Sequence, residues 1–240
     1  MSSLESRSGR APARRAPGVG ADSPPELDFS VLAAGPVEHS AVPAIEFTIL
    51  VNAGDAAVRS IQLRTQVRIA VARRPYDEQT QLRLGELFGE ASAWANTARS
   101  FLWADCSVSV PAFTGSTTVK VPITCTYDME VMATKYLHGI RDGNVPVELL
   151  FSGTVFYDTP AGLRVCQLPW ESEAYHPLPA RAWHEVMDRF FPNSAWLRIP
   201  AETYDRLRAF RTRNCHLTWE ATLEHLLECT GEQRPARGQD

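Results

Sequence analysis

The sequence predicts an α+β fold: an antiparallel β-sheet or sandwich with one inserted helix and a C-terminal group of short helices. Three observations carry this. Apolar and polar residues alternate with period two through much of the region from 27 to 170, which places the apolar ones on one face of a strand. The period becomes helical inside that region over 77–96, with a helical stripe also at 128–140, and again from Pro179 onward. Strands first and helices last is the α+β arrangement. With 240 residues, 44% of them hydrophobic, the chain is long enough for one good core, or one core plus an appendage.

Residues 1–26 are rich in Ser, Ala, Arg, Pro and Gly and nearly lack large apolar side chains, so they read as a disordered tail. Residues 27–34 read as a short first strand or an irregular edge. In 44–52, Ile45, Phe47, Ile49 and Val51 alternate with Glu46, Thr48 and Leu50; in 60–72, Ile61, Leu63, Val67, Ile69 and Val71 face away from Gln62, Arg64, Gln66 and Arg68. With a Gly-containing turn at Asn52–Asp55 between them, these two runs are expected to form a hairpin. Asp77 is placed to cap the inserted helix and Gly89 to end it. Strands return at 101–111 and, after a turn around Gly115, at 119–125, where Pro122 predicts an edge strand or the end of one. Residues 128–140 carry Met129, Met132, Tyr136 and Ile140 on one helical stripe.

The stretch Val145–Tyr157, VPVELLFSGTVFY, reads as the long central strand. Its Gly153 falls where the inward series should carry a side chain, which marks a bulge or a close backbone approach. Residues 163–168 follow as its hairpin partner, and Pro169-Trp170 closes the sheet region. The helical C-terminal region, 171–230, is expected to pack on the sheet. Its first helix starts near Pro179 and buries Trp183, Met187 and Phe190; a second spans 201–212, with Tyr204, Leu207 and Phe210 facing in; Thr218 caps a third. Residues 231–240 form a second disordered tail.

Several function classes are excluded by composition. A formal net charge of −4 gives no reason to expect nucleic acid. No apolar run approaches the roughly 18 residues of a membrane helix, and no apolar stretch follows Arg7, Arg10, Arg14 and Arg15 as in a secretory signal. A cytoplasmic protein is expected. The five cysteines are odd in number and widely spaced, without C-x-x-C, so Cys106, Cys125 and Cys166 read as buried free thiols.

No catalytic residues and no cofactor emerge. There is no G-x-S-x-G elbow, no P-loop and no dinucleotide fingerprint. His184-Glu185-x-x-Asp188 resembles a zinc-protease motif but lacks its second histidine. The best metal candidates are Cys215, His216, His225 and Cys229: four N and S ligands suit zinc or nickel, though the spacing matches no finger or ribbon. An enzyme would need a polar pocket around Asp128, His138 or His176. Trp170, Trp183, Trp196 and Trp219 concentrate aromatic mass in the C-terminal third. The loop Phe191-Pro-Asn-Ser-Ala-Trp196 is the candidate partner-binding segment, through Phe191, Asn193 and Trp196.

The ordered motifs Leu150-Phe-Ser-Gly-Thr-Val-Phe156, Pro169-Trp170, Trp183 with Met187-Asp188, and Phe191-Pro-Asn-Ser-Ala-Trp196 resemble an uncharacterised domain family of unknown function, found mainly in actinobacteria. Phe113-Thr-Gly-Ser116, Cys125-Thr-Tyr-Asp128 and Lys135-Tyr-Leu-His138 extend the resemblance to residues 28–230. It implies no activity, cofactor or catalytic residue. Genes of that family often lie near nickel–iron hydrogenase genes, so the resemblance implies an accessory role with a protein partner. The function expected is therefore a non-catalytic binding or assembly module. The alternatives are a metal-handling protein using the C-terminal Cys and His residues, or an enzyme of unrecognised class.

Overall fold

A computed structural model describes residues 23–128, 131–194 and 196–231. Of the expected tails, residues 1–22 and 232–240 lie outside the described residues, as does Met129. The elements are β1 (Asp28–Pro36), β2 (Ala44–Ile69), α1 (Glu78–Phe88), α2 (Trp94–Thr97), β3 (Phe101–Val110), β4 (Phe113–Thr124), α3 (Met132–Gly139), β5 (Asn144–Thr159), β6 (Gly162–Gln167), β7 (Glu173–Pro179), α4 (Ala180–Phe190), α5 (Ala201–Arg213) and α6 (Trp219–Cys229). The fold is α+β, built on a curled seven-stranded antiparallel sheet. The described residues divide into two compact units: residues 23–127 with 131–194, and Asp128 with 196–231.

The sheet of the first unit is organised around β2. Runs 44–52 and 60–72, expected as the arms of a hairpin, form instead one bent strand of 26 residues. A hairpin would pair the two runs with each other. Here each run is already flanked on both sides, the first by β1 and β4 and the second by β3 and β5. Gly54, at φ 57°, turns a corner without reversing the chain. Strands β3 and β4 likewise run on in one direction along β2, from Phe101 opposite Ile69 to Thr124 opposite Ala44. Gly115, at φ 78°, bends them beside Gly54. The expected turn at Gly115 is thus a second corner. The expected centre, β5, has β2 on one side and β6 and β7 in succession on the other.

Because both long ribbons bend at the same level, the two halves of the sheet face each other. Phe29 of β1 stacks on Phe151 of β5 at 4.5 Å, and Phe47 of β2 meets Trp103 of β3 and His176 of β7 edge-on. Ile45, Phe47, Ile49, Ile61, Leu63, Val67 and Ile69 are buried between them. One buried hydroxyl in this layer, Thr65 Oγ1, has no hydrogen-bond partner among the described residues. Gly153 is the close approach its position predicted. At φ 145°, a Cβ there would lie 2.0 Å from the Gln62 carbonyl oxygen. Pro122 sits in β4, whose one ladder partner is β2, as expected of an edge.

Helix α1 is capped as predicted: the Asp77 side chain accepts from the Thr80 N–H at 2.7 Å, and the Gly89 N–H reaches the Gly85 carbonyl. Residues 132–139 are helical, with Tyr136 and Leu137 buried. Gly139 lets α3 approach α1, since a Cβ would fall 2.6 Å from a methyl of Leu84. Helix α4 buries Trp183, Val186 and Met187 in the sheet core, while Phe190 is half-buried. Residues 173–179, expected within the helical C-terminal region, instead form a strand paired with β5 from Asn144 to Leu150. Alternation of Ala174, His176 and Leu178 with exposed Glu173, Tyr175 and Pro177 is the signal for it.

In the second unit, α5 buries no residue and α6 buries Thr222 alone. Tyr204, expected to face in, is exposed, and Leu207 and Phe210 are half-buried. Thr218 caps α6, accepting from the Ala221 N–H at 3.1 Å. Among the described residues no helix is long and apolar enough to cross a membrane.

Candidate functional site

The metal-ligand candidates converge only as a pair. The tight turn after α5 holds Cys215 at φ 55°, and α6 brings His225 back so that its Nδ1 lies 3.0 Å from His216 Nε2. One ring donates and the other accepts, and Phe210 stacks on His216 and meets His225 edge-on. Cys215 and Cys229 are exposed. Among the described residues no group of three His, Cys, Asp or Glu side chains comes together in a metal-holding arrangement. The protease-like histidine, His184, sends Nε2 to the Ile140 carbonyl at 2.8 Å. A carbonyl only accepts, so that nitrogen carries the proton and is unavailable as a ligand.

Groups with nucleophile or acid–base chemistry are tied into packing. Burial pushes the Cys125 thiol up to about 12, and the Cys106 and Cys166 thiols also up, so none is a ready thiolate. Desolvation, with Arg141 and His184 nearby, pushes His138 down; desolvation alone pushes His176 down. The Tyr136 phenol, buried, is pushed far up and shares a 2.8 Å hydrogen bond with Tyr76, whose hydroxyl also lies 2.7 Å from the Val71 carbonyl. A groove of about 440 Å³ along α1 is lined by Glu78, Gln81, Leu82, Gly85 and Gly89 and holds none of these groups.

The proposed partner loop is partly absorbed. Phe191 stacks on Tyr127 at 4.9 Å, and the Tyr127 hydroxyl donates to the Ser194 carbonyl. Asn193 is exposed at φ 51°. In the second unit, Trp196 forms a bridge with Asp128 and keeps 59% of its surface exposed.

A stronger surface feature lies at Trp170. Strands β6 and β7 pair with the same side of β5, up to Gln167 opposite Thr154 and from Glu173 opposite Leu150. Between those pairs, five residues, Leu168 to Ser172, must fit beside the three from Phe151 to Gly153. The surplus bulges outward. Its ends are pinned: the Leu168 N–H donates to the Gly153 carbonyl at 2.9 Å and the Phe151 N–H to the Ser172 carbonyl at 2.8 Å. A turn closed by the Ser172 N–H on the Pro169 carbonyl throws Trp170 into solvent at 87% exposure. Beside it, a groove of about 230 Å³ is lined by Leu27, Asp28, Phe29, Glu171 and Glu173 together with Pro169 and Ser172. Its charged lining is wholly acidic. Sequence reasoning placed Trp170 as a closing residue; its exposure carries no local signal, because it follows from two stretches pairing with one strand.

Residues 24–235 match a family described as a family of unknown function, DUF6084. No curated protein matches the chain. Among solved structures, it is similar to a β-glucosidase from Kluyveromyces marxianus at 10% identity and a TM-score of 0.24, over 64% of this chain and 15% of that one. The chain therefore spans a small part of that enzyme's length. A putative late embryogenesis abundant protein matches at 12% identity and a TM-score of 0.28, over 66% of this chain and 75% of that one. The putative ApaA protein from Bordetella pertussis matches at 12% identity and a TM-score of 0.22, over 65% and 96%.

Proposed function

We propose that this chain, which belongs to the DUF6084 family of unknown function, is a non-catalytic module that binds a protein partner. The observation that carries this reading is Trp170: an indole 87% exposed, on a turn whose ends are pinned to the sheet. A large aromatic on a backbone turn already fixed in the free protein loses little backbone freedom on binding, which suits it as an anchor. The acidic groove beside it favours a partner with an apolar socket flanked by Lys or Arg. Five free cysteines suit a reducing compartment, the cytoplasm. An accessory role beside a metalloenzyme such as a nickel–iron hydrogenase follows the resemblance in sequence.

The test is capture from host cells by the immobilised full chain, with Trp170→Ala and Trp196→Ala alongside. Trp170→Ala should weaken capture by about 30-fold, as expected for a hot spot worth 2 kcal/mol or more, with an unchanged thermal midpoint. Trp196→Ala tests the second exposed indole in the same way. Equal capture by wild type and both variants, or no capture at all, overturns the proposal.

A further inference from the structure

The chain carries a chemical match to the Trp170 groove in its own N-terminal stretch. From Ser6 to Ala21 it holds Arg7, Arg10, Arg14 and Arg15 and no Asp or Glu, with two prolines spaced among them in Arg10-Ala-Pro-Ala-Arg-Arg-Ala-Pro17. Arginine and proline both suit an acidic groove beside an exposed indole. A guanidinium pairs with carboxylates and lies on an aromatic face. A proline ring packs on aromatics with little backbone freedom left to lose.

The groove supplies the complementary groups. Asp28, Glu171 and Glu173 are exposed, and none forms an ion pair among the described residues. Three like charges around one groove repel until a cation sits between them. Trp170 stands beside them at 87% exposure. At about 230 Å³, the groove falls below the roughly 300 Å³ of a small-molecule site. That space suits one or two side chains of a segment lying across it rather than a whole metabolite.

The groove also lies where the N-terminal stretch joins the sheet. Leu27, with Asp28 and Phe29 of β1, forms one wall. Only residues 16–26 separate Arg15 from that wall. A chain of that length reaches about 35–40 Å when extended, ample for a return to a site at its own root. Tethering holds the arginines there at a concentration on the order of millimolar, so contacts too weak to hold a free peptide are enough.

We propose that residues 7–17 dock on the Trp170 groove of their own chain, with Arg10, Arg14 and Arg15 against Asp28, Glu171 and Glu173 and the prolines against the indole. The segment then covers the anchor, and a basic partner must displace it. This regulatory half rests on the reading of Trp170 as the partner anchor; the contact itself does not.

Arg14→Lys in the full chain tests the contact, because it keeps the charge and adds an amine that a carbodiimide couples to a neighbouring carboxylate. Peptide mapping of the monomeric product should place the link from residue 14 on Asp28, Glu171 or Glu173. The link should be lost in about 1 M salt, where the screening length is about 3 Å. Trp170→Ala should lower its yield by about two- to fivefold, as for an exposed cation–π contact. In a second measurement, the Trp170 indole N–H resonance should shift when Arg10→Ser, Arg14→Ser and Arg15→Ser are combined. Links from residue 14 confined to other carboxylates, links formed only between chains, or a resonance indifferent to the triple substitution overturns the proposal. A docked segment with no partner captured from host cells would leave the contact standing and remove the anchor reading. Capture that depends on Trp170 with an unmoved resonance would do the reverse. Where both stand, the triple substitution should strengthen capture by about threefold or more; unchanged capture would overturn the regulatory half.

Discussion

Helices α4 and α6 are both eleven residues long and both carry an apolar stripe at helical spacing, yet they end in different surroundings. Helix α4 lays Trp183, Val186 and Met187 into the sheet core, each no more than 3% exposed. Helix α6 leaves Leu223 and Leu227 exposed and Trp219 and Leu226 half-buried. Periodicity is a local property; burial depends on whether another layer lies opposite. A helix this short is marginal alone, so α4 draws its stability from packing. In the second unit, α6 leans on its Thr218 cap and on local contacts. Trp219 lies against Tyr204 at 5.4 Å and under the Arg211 guanidinium.

The sharpest way to break this comparison is substitution along the two stripes. Trp183→Ala should cost about 3–5 kcal/mol, read by chemical denaturation, whereas Leu226→Ala should cost about 1 kcal/mol or less. Equal losses would mean that α6 is as thoroughly covered as α4. Gly153→Ala extends the contrast to the sheet. A methyl group driven into the Gln62 carbonyl at a positive φ should cost about 3 kcal/mol, measured as a lowered thermal midpoint; a neutral result would show that β2 and β5 can separate there.

Caps should behave alike in both units, because a cap satisfies backbone groups of its own helix. Asp77→Ala and Thr218→Ala should each cost about 1 kcal/mol, detectable as faster amide exchange in α1 and α6. Trp196→Ala should change stability by no more than about 0.5 kcal/mol, as for exposed positions. A large loss there would make the loop after α4 structural.

The smallest expected effect is an acid one. His138 is held below its ordinary value by desolvation, then by Arg141 and His184. The unfolded chain therefore takes up a proton near pH 6.5 while the folded one does not. Stability is fully present above that pH and falls as the pH drops through it toward the lower folded value. His176, lowered by desolvation, acts in the same direction. In His138→Gln the slope of the thermal midpoint between pH 7 and pH 5 should flatten; an unchanged slope would remove His138 as a contributor.

Much of this molecule was legible residue by residue. The alternation of Ile45 to Val51 and Ile61 to Ile69, the Asp77 and Thr218 caps, the close approach at Gly153, the edge position of Pro122 and the buried stripe of α4 all follow from side-chain period, cap chemistry or the missing Cβ of glycine. These are properties of a residue and its neighbours in the chain. What the tertiary structure alone decided is which segments lie beside which. Gly54 and Gly115 look like hairpin turns in isolation; with β1, β3, β4 and β5 already flanking β2, they can only be corners. Trp170 is indistinguishable in sequence from a core tryptophan. Its exposure arises because five residues are pinned opposite three on β5, a mismatch between segments distant in sequence.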